Sequence, residues 1–117
     1  MSEPLDLRRI AELQGLMGDG IDGIVGSLVQ SMEQAIDRAG AAVAAGELDE
    51  AARAAHLCRN DALMVDAKEL LRALSELESA ARDHRDDATR AALDQVQLVW
   101  QTTRRELERA TSSADPR

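Results

Sequence analysis

The chain has 117 residues, enough for one domain with one core and too few for two. Its 14 basic and 22 acidic side chains give a formal charge of −8, and no basic block stands apart from the acids, which argues against nucleic acid as a partner. Trp100 is the single aromatic residue, so a stacking platform for unpaired bases is absent too, and the abundance of Ala, Leu, Glu and Arg points to an all-helical chain.

Cys58 is the single cysteine and cannot form an intramolecular disulfide, so nothing in the sequence calls for an oxidising compartment. The segment MSEPLDLRRI carries no secretory apolar stretch, and no run of about 18 apolar residues exists to span a membrane. A soluble, cytoplasmic protein without membrane contact is the expectation.

In chain order, Leu5 to Gln14 reads as a short first helix. Glycines 15, 18, 20, 23 and 26 then mark a loop and the start of a second helix. In that helix Ile21, Val25, Leu28, Met32, Ala35 and Ala39 recur at steps of three and four, the signature of one buried stripe. Gly46 closes it. A further stripe, Ala51, Ala55, Cys58, Ala62 and Val65, defines a helix that begins at Leu48. Asp66 with Glu69 has the spacing of a capping pair, which predicts a break there. Ala67, Leu70, Leu74, Leu77 and Ala81 form the following stripe, which ends near Arg82. The polar run Asp83-His84-Arg85-Asp86-Asp87 reads as a turn with Asp87 as cap. Leu93, Val96, Trp100, Thr103 and Leu107 make the last seam, and residues 111–117 read as a flexible tail. Short connections between long amphipathic helices make antiparallel neighbours, so residues 1–110 are expected to form one up-and-down four-helix bundle with the short N-terminal helix across one end.

Chemistry is sought on the outside of this bundle. With 51, 55, 58, 62 and 65 facing inward, His56, Arg59, Asn60 and Leu63 share a more exposed face, and Arg53 lies one turn earlier. An imidazole near pH 7 is largely neutral and nucleophilic, and a guanidinium one turn away stabilises charge on phosphate oxygens. His56 and Arg59 together can therefore accept a phosphoryl group. His84 reads as a loop residue.

Other patterns fall short. Gly18-Asp19-Gly20-Ile21-Asp22-Gly23 fits G-x-G-x-x-G, yet a dinucleotide fingerprint needs a preceding strand, and the residues before it read as helix. Ile21 and Gly23 stand where a calcium loop needs oxygen ligands. His56 and Cys58, two apart on a helix, point in different directions and have no second ligand pair for zinc.

The run Ala55-His56-Leu57-Cys58-Arg59-Asn60-Asp61-Ala62, followed by Val65-Asp66-Ala67 and Leu70, resembles the histidine phosphotransfer signature A-H-x-L-K-G-x-A, then an aliphatic residue, then G-A. The upstream stretch from Gly18, a helix of about six turns, a small-residue turn and then the histidine helix, is similar to the family as well. On this resemblance His56 is the phosphorylated histidine and Arg59 the basic residue that steadies the phosphate. Cys58 and Val65 take buried aliphatic positions. Two family glycines are replaced: Asn60 adds bulk beside the histidine and offers its amide to a phosphate oxygen. Asp66 ends the helix either as a cap or in a left-handed conformation costing about 1 kcal/mol.

The resemblance implies a relay that carries a phosphoryl group between receiver-domain aspartates through phosphohistidine at His56. Its partners would be receiver domains of response regulators or hybrid histidine kinases, docking on a face that includes Arg53, Asn60 and Leu63. The receiver would supply the magnesium, so the chain would need no cofactor or metal of its own, would have no ATP-dependent or independent turnover, and would act as a monomer. The alternative is a non-catalytic adaptor that binds a receiver or another signalling protein through the same face. Leu57 and Asn60 argue against the phosphoacceptor domain of a sensor kinase, which would place an acid and a proline there.

Overall fold

The computed structural model describes the backbone of residues 20–113 and the side chains of residues 23–110. These residues fold into four α-helices, α1 (Gly20–Ala44), α2 (Leu48–Met64), α3 (Lys68–Arg82) and α4 (Asp86–Ser113), with no strand among them. Each helix packs on the next in sequence, and α4 returns to α1, which closes an up-and-down bundle. The pairing is antiparallel: Ser31 on α1 meets Asp61 on α2, Arg59 on α2 meets Glu78 on α3, and Glu33 on α1 meets Arg104 on α4. The short helix expected at Leu5 to Gln14 lies outside the described residues. Helical backbone continues to Ser113, three residues into the segment expected to be a tail.

Helical periodicity decides what goes inside. Val25, Leu28, Met32, Ile36, Ala39 and Val43 of α1 face Leu70, Leu74 and Leu77 of α3 and Val96, Trp100 and Leu107 of α4 in one core cluster. Each fully buried Leu or Met side chain is worth about 1.5–3 kcal/mol in transfer from water. Ile36 belongs to the α1 stripe, whereas Ala35, named there from sequence spacing, is only half-buried. The inward face of α2 is almost all alanine, with Ala51, Ala52, Ala54, Ala55 and Ala62 around Cys58. Small side chains fit this helix against its neighbours, and His56 is among the positions turned to solvent. The two buried threonines are satisfied locally: Thr89 Oγ1 donates to the Arg85 carbonyl and Thr103 Oγ1 to that of Val99.

All three turns use one device. After α1, α2 and α3 the chain places Gly46, Asp66 and His84 at φ of 76°, 55° and 56°, in the left-handed region. At each, two backbone N–H groups reach back over the last helical turn. Glu47 donates to Ala42 and Gly46 to Val43, Ala67 to Ala62 and Asp66 to Leu63, Arg85 to Ala80 and His84 to Ala81. These are Schellman motifs, which satisfy carbonyls that a helix end leaves open.

Three local expectations are corrected. Asp66 does not cap α3: the N-cap is Ala67, with no side-chain cap bond, because Asp66 is used to end α2 in the left-handed conformation. Asp87 is not a cap either. It lies beside Asp86 in the first turn of α4, where both charges face the positive end of the helix dipole. Of the glycines read as a loop and helix start, Gly20 begins α1 and Gly23 and Gly26 sit within it on its exposed face, since packing of the stripe from Val25 onward outweighs their poor helix propensity.

Candidate functional site

His56 follows buried Ala55 and precedes buried Cys58 by two positions on α2, so its own direction is outward, and its side chain is 55 % exposed. Its ring is nonetheless not free: Nδ1 lies 3.3 Å from Oε2 of Glu78 on α3. Glu78 is set among Leu74, Leu77 and Ala81 on the inward side of its helix, and its side chain is 9 % exposed. A carboxylate so placed must be paired. Arg59 Nη1 donates to Oε1 at 2.8 Å, and Arg82, one turn beyond Glu78, approaches Oε2 with Nη2 at 2.7 Å.

Burial pushes the Glu78 carboxyl up, but the Arg59 hydrogen bond and the charges of Arg82, His56 and Arg59 outweigh it and hold the group below the ordinary carboxylate range. Glu78 is therefore an anion at neutral pH. An anion beside Nδ1 favours the tautomer with its proton on that nitrogen, which leaves the lone pair on Nε2. The ring thus has a carboxylate behind it and two guanidinium groups bound to that carboxylate. Arg59 also keeps its Nε buried without a hydrogen-bond partner among the described residues.

His56 and Arg59, expected from the sequence to act together, are thus joined through Glu78. Asn60 and Leu63 lie exposed on the same helix, Leu63 at 54 %, with Leu57 and Met64 exposed at its edges. Arg53 is bound to its own helix, Nε donating to Glu50 Oε1 at 3.2 Å, and is no member of the Glu78 cluster. Sequence reasoning missed Glu78 and Arg82. The available signal was an acid at the inward position four residues after Leu74, followed by an arginine one turn on.

Cys58, next to the site in sequence, has its thiol pushed up to about 12, first by burial and then by the charge of Asp61. It stays protonated and packs near the Met32 carbonyl. His84 is in the α3–α4 turn, with Nε2 2.9 Å from Asp49 Oδ1, apart from the Glu78 cluster. Neither the groove between α3 and α4 nor that around the α1–α2 turn is lined by His56 or Glu78. Among the described residues no group of three or more His, Cys, Asp or Glu is placed to hold a metal ion.

The structure is thus an antiparallel four-helix bundle that presents the His56 imidazole on an open helix face, with an acid and two arginines beside it. The Hpt domain family model matches residues 23–111, most of the chain, which therefore belongs to this family and is a histidine phosphotransfer protein of a phosphorelay. The crystal structure of histidine-containing phosphotransfer protein B (HptB) from Pseudomonas aeruginosa PAO1 has the same fold, with a TM-score of 0.85 over 93 % of this chain and 95 % of that chain at 24 % identity. No curated protein matches the sequence. Hpt domains work with receiver domains. No helix among the described residues is long and apolar enough to cross a membrane.

Proposed function

We propose that His56 is the phosphoacceptor, that it attacks through Nε2, and that Arg59 steadies the transferred group. The observation that carries this reading is the half-exposed ring of His56 with Nδ1 against the buried Glu78 carboxylate. A receiver domain docks on α2 with its aspartyl phosphate facing His56. The Nε2 lone pair forms the N–P bond as the bond from phosphorus to the aspartate oxygen breaks. The reverse step on a second receiver completes the relay. Arg53, Asn60 and Leu63 border His56 on the surface that the receiver covers, with Asn60 filling space one turn from the ring.

The receiver brings magnesium and the acidic pocket, and this chain contributes the imidazole and the guanidinium groups. It acts as a monomer in the cytoplasm and has no turnover of its own. The test is transfer of labelled phosphate from a panel of phosphorylated receivers to the parent chain and to its His56→Gln and His84→Gln variants. Acid-labile, base-stable label is expected on the parent and on His84→Gln but not on His56→Gln. Label that survives in His56→Gln refutes the assignment, and docking without label from any receiver supports an adaptor instead.

A further inference from the structure

We infer that Glu78 acts after the transfer as well as before it, holding the phosphorylated His56 ring in its protonated, transfer-ready form so that this protein passes its phosphoryl group on rather than storing it. The inference rests on His56 being the phosphoacceptor. It begins with proton bookkeeping. A ring that attacks through Nε2 with its proton on Nδ1 becomes an N-phosphoimidazolium: the N–P bond forms, the P–O bond to the donor aspartate breaks, that electron pair stays on the aspartate oxygen, and no proton leaves. In the next transfer the N–P electron pair returns to Nε2 and the leaving group is a neutral imidazole that still holds its Nδ1 proton. If that proton is lost in between, the leaving group is an imidazolate anion, a far poorer one. The lifetime and forward reactivity of the phosphohistidine therefore turn on the Nδ1 proton.

The charges around the ring decide the fate of that proton. From α3 the ring faces Glu78 and Arg82, and from its own helix Arg59, with Arg53 one turn back held by Glu50. Two guanidinium charges against one carboxylate leave one positive charge, and the phosphoryl group adds close to two negative charges near pH 7. A protonated ring brings the cluster to neutrality, and a neutral ring does not. Glu78 stands 3.3 Å from the nitrogen that holds the proton, shielded from solvent, where its charge counts for more than at an open surface. Arg59 is tied to Glu78 through Nη1 and its side chain is about one-third exposed, so its charge stands beside the phosphoryl group without vacating Glu78. Glu78 is on this account a positioning residue that acts through the ring of His56.

The experiment phosphorylates the full chain with potassium phosphoramidate, a small donor that phosphorylates imidazole nitrogen without a receiver. It then follows phosphohistidine loss and ring protonation by phosphorus and nitrogen NMR from pH 6 to 9, in the parent and in Glu78→Gln, which keeps the shape and removes the charge. The ring of the parent should retain its proton to higher pH than free phosphohistidine. In Glu78→Gln the ring midpoint should fall by about one unit, so that loss and onward transfer to a receiver slow by about tenfold near pH 8. Equal midpoints and rates in the two proteins overturn the inference while leaving His56 as phosphoacceptor intact. Absence of label at His56 from phosphoramidate and from receivers alike removes both readings. Should Glu78→Gln lose helicity, the ring titration of the parent against free phosphohistidine decides alone, and a midpoint no higher than the free compound overturns the inference.

Discussion

Replacing Asp66 with glycine should make the protein more stable, although an acid would be lost from the end of the histidine helix. Asp66 is held at φ 55° by the Schellman bonds from its own N–H to Leu63 and from Ala67 to Ala62. A left-handed non-glycine residue costs about 1–2 kcal/mol, with aspartate at the lower end because it tolerates this region better than most. Glycine removes that cost and gives back about 0.5 kcal/mol through its greater freedom in the unfolded chain. The net gain is about 0.5 kcal/mol, or roughly 2–4 °C in Tm for a domain near this size. The reciprocal change, Gly46→Ala, meets no atom within 4 Å of the added Cβ, so it isolates the backbone term at φ 76° and should destabilise by about 1 kcal/mol. Urea titrations followed by circular dichroism, with m unchanged, measure both. Opposite signs support the account. If both substitutions destabilise, or if Gly46→Ala costs nothing, the left-handed geometry is not what governs these turns.

Three further outcomes follow from the same structure. Gly23→Ala and Gly26→Ala add a Cβ in open space on α1 and should each stabilise by about 0.5–1 kcal/mol, read from thermal melts. Cys58, buried and with its thiol pushed up to about 12, should resist iodoacetamide at pH 8 in the folded protein and react fully in denaturant. Because the folded Glu78 pKa is lowered from 4.5, its contribution to stability is present above that value and is lost as pH falls through the lower folded value. Glu78→Gln should accordingly flatten the acid limb of the stability curve below about pH 4.5, and an unchanged limb would show that the cluster gives the fold nothing.

How much of this was legible in the sequence varied with the physics involved. Stripes at steps of three and four located the helices from α1 to α4, because burying one face is what stabilises each of them. Periodicity also turned His56 outward, since Ala55 and Cys58 had to point in. Helix ends were less legible: Asp66 and Asp87 have the chemistry of caps, yet the backbone used one for a left-handed turn and placed the other inside a helix. Glu78 stayed hidden for a different reason. It sits 22 positions beyond His56, and a pairing between helices depends on the register across the α2–α3 turn, which no local pattern encodes. Arg59, read from the sequence as a companion of His56, meets it only through a carboxylate that comes from the neighbouring helix.

The register across that turn has a wider consequence. His56, Arg59, Glu78 and Arg82 all lie between Leu48 and Arg82, so the cluster belongs to a single helical hairpin, with α1 and α4 packed behind it. The three residues between Met64 and Lys68 act as a ruler: one residue more or fewer would turn Glu78 by about 100° and shift it by roughly 1.5 Å relative to the ring. The α2–α3 turn, three residues long like the other two, sets the register that brings Glu78 to the ring.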